Sequence, residues 1–151
     1  MIRDDIKAAQ TDAMKAKDMA RLGALRLILS ALKNRDIELR TGPAPTDDDS
    51  VVLEVLQKMA KQRRESIELF EAGGRTELAA AERAELEVIE SFLPQQMSEA
   101  EAQSAIAALV AEAGATGPKD MGAVMALVKA RLAGRIDMGV ASRLVKAALQ
   151  P

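Results

Sequence analysis

Residues Lys58–Phe70 read KMAKQRRESIELF, and the stretch around them fixes the fold class. On a 3.6-residue period, Val52, Leu56, Met59, Ile67 and Phe70 fall on one stripe. Lys58, Lys61, Glu65 and Glu68 fall on the opposite side. Arg63 falls in the middle of the apolar stripe. A guanidinium placed there needs a partner, because burying it unpaired is costly. The spacing therefore predicts a long amphipathic helix with an inward charge.

The partner is legible further along. Gly73-Gly74 breaks the helix, and a second one follows Thr76 with Leu78, Leu86, Ile89 and Phe92 on one side. Glu82 and Glu85 share that side. In an antiparallel hairpin about Gly73-Gly74, the level of Arg63 matches about Ala84, which Glu82 and Glu85 bracket. The sequence thus predicts a partly buried ion pair or triad of Arg63, Glu82 and Glu85, fixing helix register rather than forming a catalytic pocket.

Helix signals continue on both sides. Ile2, Ile6, Ala9 and Ala13 give a first amphipathic helix, roughly to Lys17. Asp18 can cap a second, in which Leu25, Ile28, Leu32 and Leu39 share a face and Arg35 and Asp36 sit on its shoulders. Thr41-Gly42-Pro43-Ala44-Pro45 ends it. Thr46 or one of Asp47, Asp48 and Asp49 caps the third helix. Pro94 marks a boundary, and Ser98 with Glu101 forms a capping-box pattern beyond it. A fifth helix ends near Gly114. A sixth carries Met121, Val124, Met125, Val128 and Leu132. After the turn at Gly134, Asp137 caps a seventh with Val140, Leu144 and Ala147. The expected fold is all-α, with a four-helix N-terminal domain over 1–93 and a three-helix C-terminal domain over 98–151.

Composition narrows the chemistry. The 151 residues are 48% hydrophobic and 29% charged, which is globular. Two Phe and no Trp or Tyr leave an aliphatic core and few platforms for stacking bases. The absence of Cys and His removes thiolate chemistry and the commonest general base and metal ligand. No apolar run is long enough to span a bilayer. MIRDDIKAAQ carries acids where a signal peptide has an apolar core, so the expectation is a cytoplasmic protein with no membrane partner. There is no phosphate-cradling loop, and Ser66 has no His to activate it. Asp47-Asp48-Asp49 reads as a solvated capping cluster, since three consecutive acids cannot all face one ion. No catalytic residue, metal ligand or cofactor is expected, and the chain alone should not turn over ATP, glutamine or charged tRNA.

Charge is uneven along the chain. From Lys119 onward, Lys119, Lys129, Arg131, Arg135, Arg143 and Lys146 stand against only Asp120 and Asp137, a local balance of +4. Gln95 to Gly117 holds Glu99, Glu101 and Glu112 and no base. A basic end on an acidic chain suits an anionic partner, although six bases on small helices are also ordinary solubilising decoration. Arg131, Arg135, Arg143 and Lys146 fall away from the apolar stripes. They are expected to be exposed and gathered by the turn at Gly134.

Five stretches resemble the YqeY-like family: RLILSALKNRDIE (Arg26–Glu38), KMAKQRRESIELF, AELEVIESFLPQQMSE (Ala84–Glu99), KDMGAVM (Lys119–Met125) and GRIDMGVASRLVK (Gly134–Lys146). They are spread over most of the chain in the family's order. The tail, with Gly122, Val128, Gly134-Arg135 and the Val140–Leu144 helix, is also similar to the tRNA-contacting tail of the tRNA-dependent amidotransferase. That resemblance implies tRNA or another structured RNA as partner. Lys119, Lys129, Arg131, Arg135, Arg143 and Lys146 would be the main contacts, and Lys58 and Lys61 lesser ones. Two alternatives are an adaptor for a translation-associated protein, and an accessory component of a carbon–nitrogen ligase that uses glutamine as amido donor. The large catalytic domain that precedes the amidotransferase tail has no counterpart here.

Overall fold

The computed structural model describes residues 1–45 and 47–150; Thr46, one of the cap candidates, and Pro151, the last residue of the expected second domain, lie outside the described residues. The described residues form seven α-helices, one 3-10 turn and no strand. Contacts divide the chain into two compact units, Met1–Pro94 and the residues from Gln95 onward.

The first unit holds α1 (Ile2–Ala16), α2 (Met19–Leu39), α3 (Asp48–Ala72) and α4 (Thr76–Glu90). Asp18 caps α2 by accepting from the Arg21 amide at 3.1 Å. Just before it Lys17 adopts left-handed backbone at φ 56°, which lets α1 end and α2 begin within two residues. Ile6, Leu25, Ile28, Leu32, Val52, Leu56 and Ile89 are almost wholly buried and make an aliphatic core. Leu78 departs from the expected stripe: it is exposed, and Ala79 beside it is fully buried instead. A small residue there lets α4 approach α3 closely near the hairpin turn, where a leucine would not fit.

Asp47 is the N-cap of α3 but makes no side-chain cap bond, and Asp48 and Asp49 in the first turn reach other helices instead. Arg3 of α1 makes two bidentate pairs, with Asp36 of α2 at 2.9 and 3.0 Å and with Asp48 at 2.9 and 3.1 Å. Asp49 accepts from the Ile2 amide at 3.0 Å, and Asp47 accepts from the Ser50 hydroxyl at 3.0 Å. The expected solvated cluster is thus largely a clasp holding α1 to α2 and α3. The cause is tertiary, because the partners lie 33 to 47 residues apart in sequence.

The second unit holds α5 (Glu99–Ala113), the 3-10 turn Pro118–Asp120, α6 (Met121–Arg131) and α7 (Met138–Leu149). Ser98 and Glu101 complete a capping box at the start of α5, and Asp137 caps α7 through the Val140 amide at 3.1 Å. Ile106, Val124, Val128, Ala141 and Val145 are at most 1% exposed and form a separate core.

Candidate nucleic-acid interface

The basic residues of the second unit divide into three groups. Lys119, Lys129 and Lys146 are exposed, and none has an acid within ion-pair distance among the described residues. Arg131, at the last turn of α6, pairs with both oxygens of Glu112 on α5. Arg143 on α7 donates to Glu99, at the start of α5, at 3.1 Å. Both arginines are more than half exposed. Their pairs are therefore surface pairs of small net worth, open to exchange with another anion.

Arg135 is different. It is half-buried, and its Nε donates to the Gln95 carbonyl at 3.2 Å. Its own carbonyl accepts from the Met97 amide at 3.0 Å, and the Gln96 side chain donates to the Gly134 carbonyl. Gly134 supplies the left-handed φ of 76° that turns the chain between α6 and α7. Arg135 thus ties the Gln95–Met97 segment, which opens the second unit, to the turn between α6 and α7. The expectation that Arg135 is exposed and reaches outward does not hold, because two backbone partners and one side-chain bond already engage this turn.

The expected gathering of the bases at Gly134 does not hold either. Arg131 and Arg143 contact opposite ends of α5, and Glu112 and Glu99 are separated by about 20 Å along a helix rising 1.5 Å per residue. The acids of α5 are the residues missed in assigning the tail a charge of its own. Their sequence signal was present: an acid-only helix joined to a base-rich end. Six bases and five acids lie from Gln95 onward, so this unit is close to neutral, whereas the first unit carries the chain's excess of acid.

Proton equilibria follow these contacts. Hydrogen bonds from Arg131 hold the Glu112 carboxyl below its ordinary range, and the same bonds raise Arg131. Asp120 is lowered by the Thr116 and Gly117 amides, at 2.9 and 3.3 Å, which fold the loop before α6 onto it. In the first unit Arg3 is raised, chiefly by Asp48 and then by Asp36.

Lys58 and Lys61 stand exposed on the outer ridge of α3 and have no ion pair among the described residues. Arg63 faces inward: its Nε lies 2.8 Å from Glu85 and 3.3 Å from Glu82. Neither contact has hydrogen-bond alignment, and Arg63 Nε and Glu82 Oε2 are buried atoms without an aligned partner. The short distances carry more weight for charge, and the poor alignment shows that the contact is mainly coulombic. An open depression at the hairpin turn is lined by Gly74, Arg75, Thr76, Glu77 and Leu78, and has no converging acid–base pair. No group of three acids among the described residues is placed to hold a metal ion, and no helix is long and apolar enough to cross a membrane.

A family model described as "Yqey-like protein" matches residues 3–149. The curated protein "Altered inheritance of mitochondria protein 41, mitochondrial" of Saccharomyces cerevisiae is 34% identical over 95 residues, covering 63% of this chain and 48% of its own. The protein of the same name from Lachancea thermotolerans is 31% identical over 116 residues, covering 76% of this chain and 60% of its own. That from Eremothecium gossypii is 32% identical over 92 residues, covering 61% and 46%. The chain spans about half the length of the curated relatives it matches.

Proposed function

The chain belongs to the Yqey-like protein family, and from that premise we propose a non-catalytic module that binds tRNA or another structured RNA through its second unit. One observation carries the reading. Lys119, Lys129 and Lys146 are exposed without an acidic partner among the described residues, and Arg131 and Arg143 are held only by surface pairs. Phosphates would take the three lysines directly and exchange with Glu99 and Glu112 for the two arginines. The footprint is extended, because the two arginines mark opposite ends of α5. Such spacing spans several backbone phosphates, and with so few aromatic residues the contact would read shape and charge rather than bases.

Arg135 is assigned a positioning role in this scheme. Lys58 and Lys61 belong to the first unit and are assigned secondary contacts. The similarity of the tail to that of the tRNA-dependent amidotransferase supports tRNA as the RNA. A cytoplasmic location is proposed for this chain, whereas the name of the relatives places those proteins in mitochondria.

Band-shift titration with unfractionated tRNA at low salt tests the reading. Lys129→Glu/Lys146→Glu should weaken binding at least about tenfold while leaving the fold intact, since exposed charges contribute little to stability. Lys58→Glu/Lys61→Glu should weaken it less. Equal affinity of the wild type and the Lys129/Lys146 variant, or no shift by the wild type, overturns the reading.

A further inference from the structure

In the first unit α2 turns an apolar stripe to solvent. Met19, Leu27 and Ile37 are 67%, 45% and 46% exposed. On the helical period they share a stripe with Gly23, Ser30 and Asn34, opposite the buried Leu25, Ile28 and Leu32. A Cβ at Gly23 would meet nothing within 4 Å, so the fold itself has no need of a glycine there. What the glycine leaves is a notch between Met19 and Leu27.

One flank of the stripe is basic. Arg26, Lys33 and Arg40 follow at seven-residue intervals, about 10 Å apart along the helix. All three are exposed, and none has an ion pair among the described residues. The acids of α2 are already engaged, Asp36 by Arg3 and Glu38 by Arg35. A purely ionic partner would leave Met19, Leu27 and Ile37 in water. The occupant must therefore be both acidic and apolar.

The same unit carries such a surface. The far half of the α3–α4 hairpin packs on itself, Ile67 and Ala79 being buried outside the main core. Leu69 and Leu78 stand the same number of residues before and after Gly73-Gly74 and are 74% and 45% exposed. Glu65 and Glu68 share the outward ridge of Leu69, and Glu77 adjoins Leu78; all three are exposed without an ion pair among the described residues. Glu71 is held by Arg83, and Arg75 is the one base at the tip. An acidic tip repels phosphate and another tip alike, but matches the flank of α2.

We propose that the outward face of α2 receives the α3–α4 hairpin tip of a second copy of this chain. Leu69 and Leu78 seat about the Gly23 notch against Met19 and Leu27, while Glu65, Glu68 and Glu77 meet Arg26 and Lys33, with Arg40 adding to the basic field beyond them. Two such contacts related by a twofold axis close a dimer.

Sedimentation velocity of the full chain at about 100 µM tests this, a concentration well above a micromolar dissociation constant. The wild type should run as a dimer at low salt and dissociate progressively as salt rises. Arg26→Glu/Lys33→Glu/Arg40→Glu and Glu65→Lys/Glu68→Lys/Glu77→Lys should each run as monomers with unchanged helical circular dichroism. Their equimolar mixture should regain the dimer, because both contacts are then complementary again. A wild type that stays monomeric at low salt overturns the proposal. So does a dimer that survives both reversals, or a mixture of two folded variants that fails to re-associate.

Discussion

Truncating Arg63 to alanine strands the carboxylates of Glu82 and Glu85, which both lie against its Nε in the α3–α4 hairpin. Removing one member of a fully buried pair costs roughly 3–5 kcal/mol, whereas an exposed pair is worth roughly 0–1. The side chains of Arg63, Glu82 and Glu85 keep 20%, 23% and 32% of their exposure, so the trio sits between these limits. The missing hydrogen-bond alignment at Arg63 Nε removes a further part of the gain. About 2 kcal/mol is the value these limits leave. With a urea dependence of about 2 kcal/mol per molar, the unfolding midpoint of Arg63→Ala should fall by about 1 M. Adding Glu82→Gln and Glu85→Gln should recover about half of that, since the repulsion is then gone. A midpoint for Arg63→Ala indistinguishable from the wild type refutes the reasoning, and means that the guanidinium gains its energy from water.

Arg3→Ala should also destabilise, with a pH signature. Arg3 holds Asp48 below its ordinary 3.8. A depressed folded pKa means that the clasp is fully present above about pH 4 and is lost as pH falls through the lower, folded value. The gap between wild type and Arg3→Ala in urea midpoint should therefore hold above about pH 4 and shrink as pH falls below it. Gly23→Ala should raise stability by roughly 0.5–1 kcal/mol, because the site has room for a Cβ and glycine is a poor residue inside a helix. Ser98→Ala should lower it by about 1 kcal/mol by removing the capping box of α5. Thermal or urea unfolding followed by circular dichroism reads both.

Helix starts and stops were legible where one residue decides them locally. Asp18, Ser98 and Asp137 cap their helices through their own side chains, and Gly73-Gly74 and Gly134 end theirs by backbone freedom. The Arg63 register was legible because a hairpin pairs residues at equal distances from its turn. The clasp of Arg3, Asp36 and Asp48 was not, since no periodicity links residues brought together by the packing of three helices. The ion pairs of the tail were hidden for a related reason: sequence order sets its acids apart from its bases, whereas the fold sets α5's Glu99 and Glu112 against Arg143 and Arg131. Arg135 looked like a surface base on a wheel, but it lies in a turn, where helical phase says nothing about direction. Period alone places Leu78 inward, whereas the closeness of two helices beside a tight turn favours Ala79.

The slope of tRNA affinity against salt tests the central claim most directly. Each phosphate neutralised by a lysine or arginine releases counterions, so log K should fall linearly with log salt by about 0.7–0.9 per contact. Lys119, Lys129, Lys146, Arg131 and Arg143 set an upper limit of five contacts in the second unit. Replacing Lys129 and Lys146 by alanine should flatten the slope by about 1.4–1.8, while Arg135→Ala should cost stability and leave the slope unchanged. A slope that Lys129→Ala/Lys146→Ala does not alter, or a wild type that fails to bind tRNA at about 50 mM salt, contradicts the account.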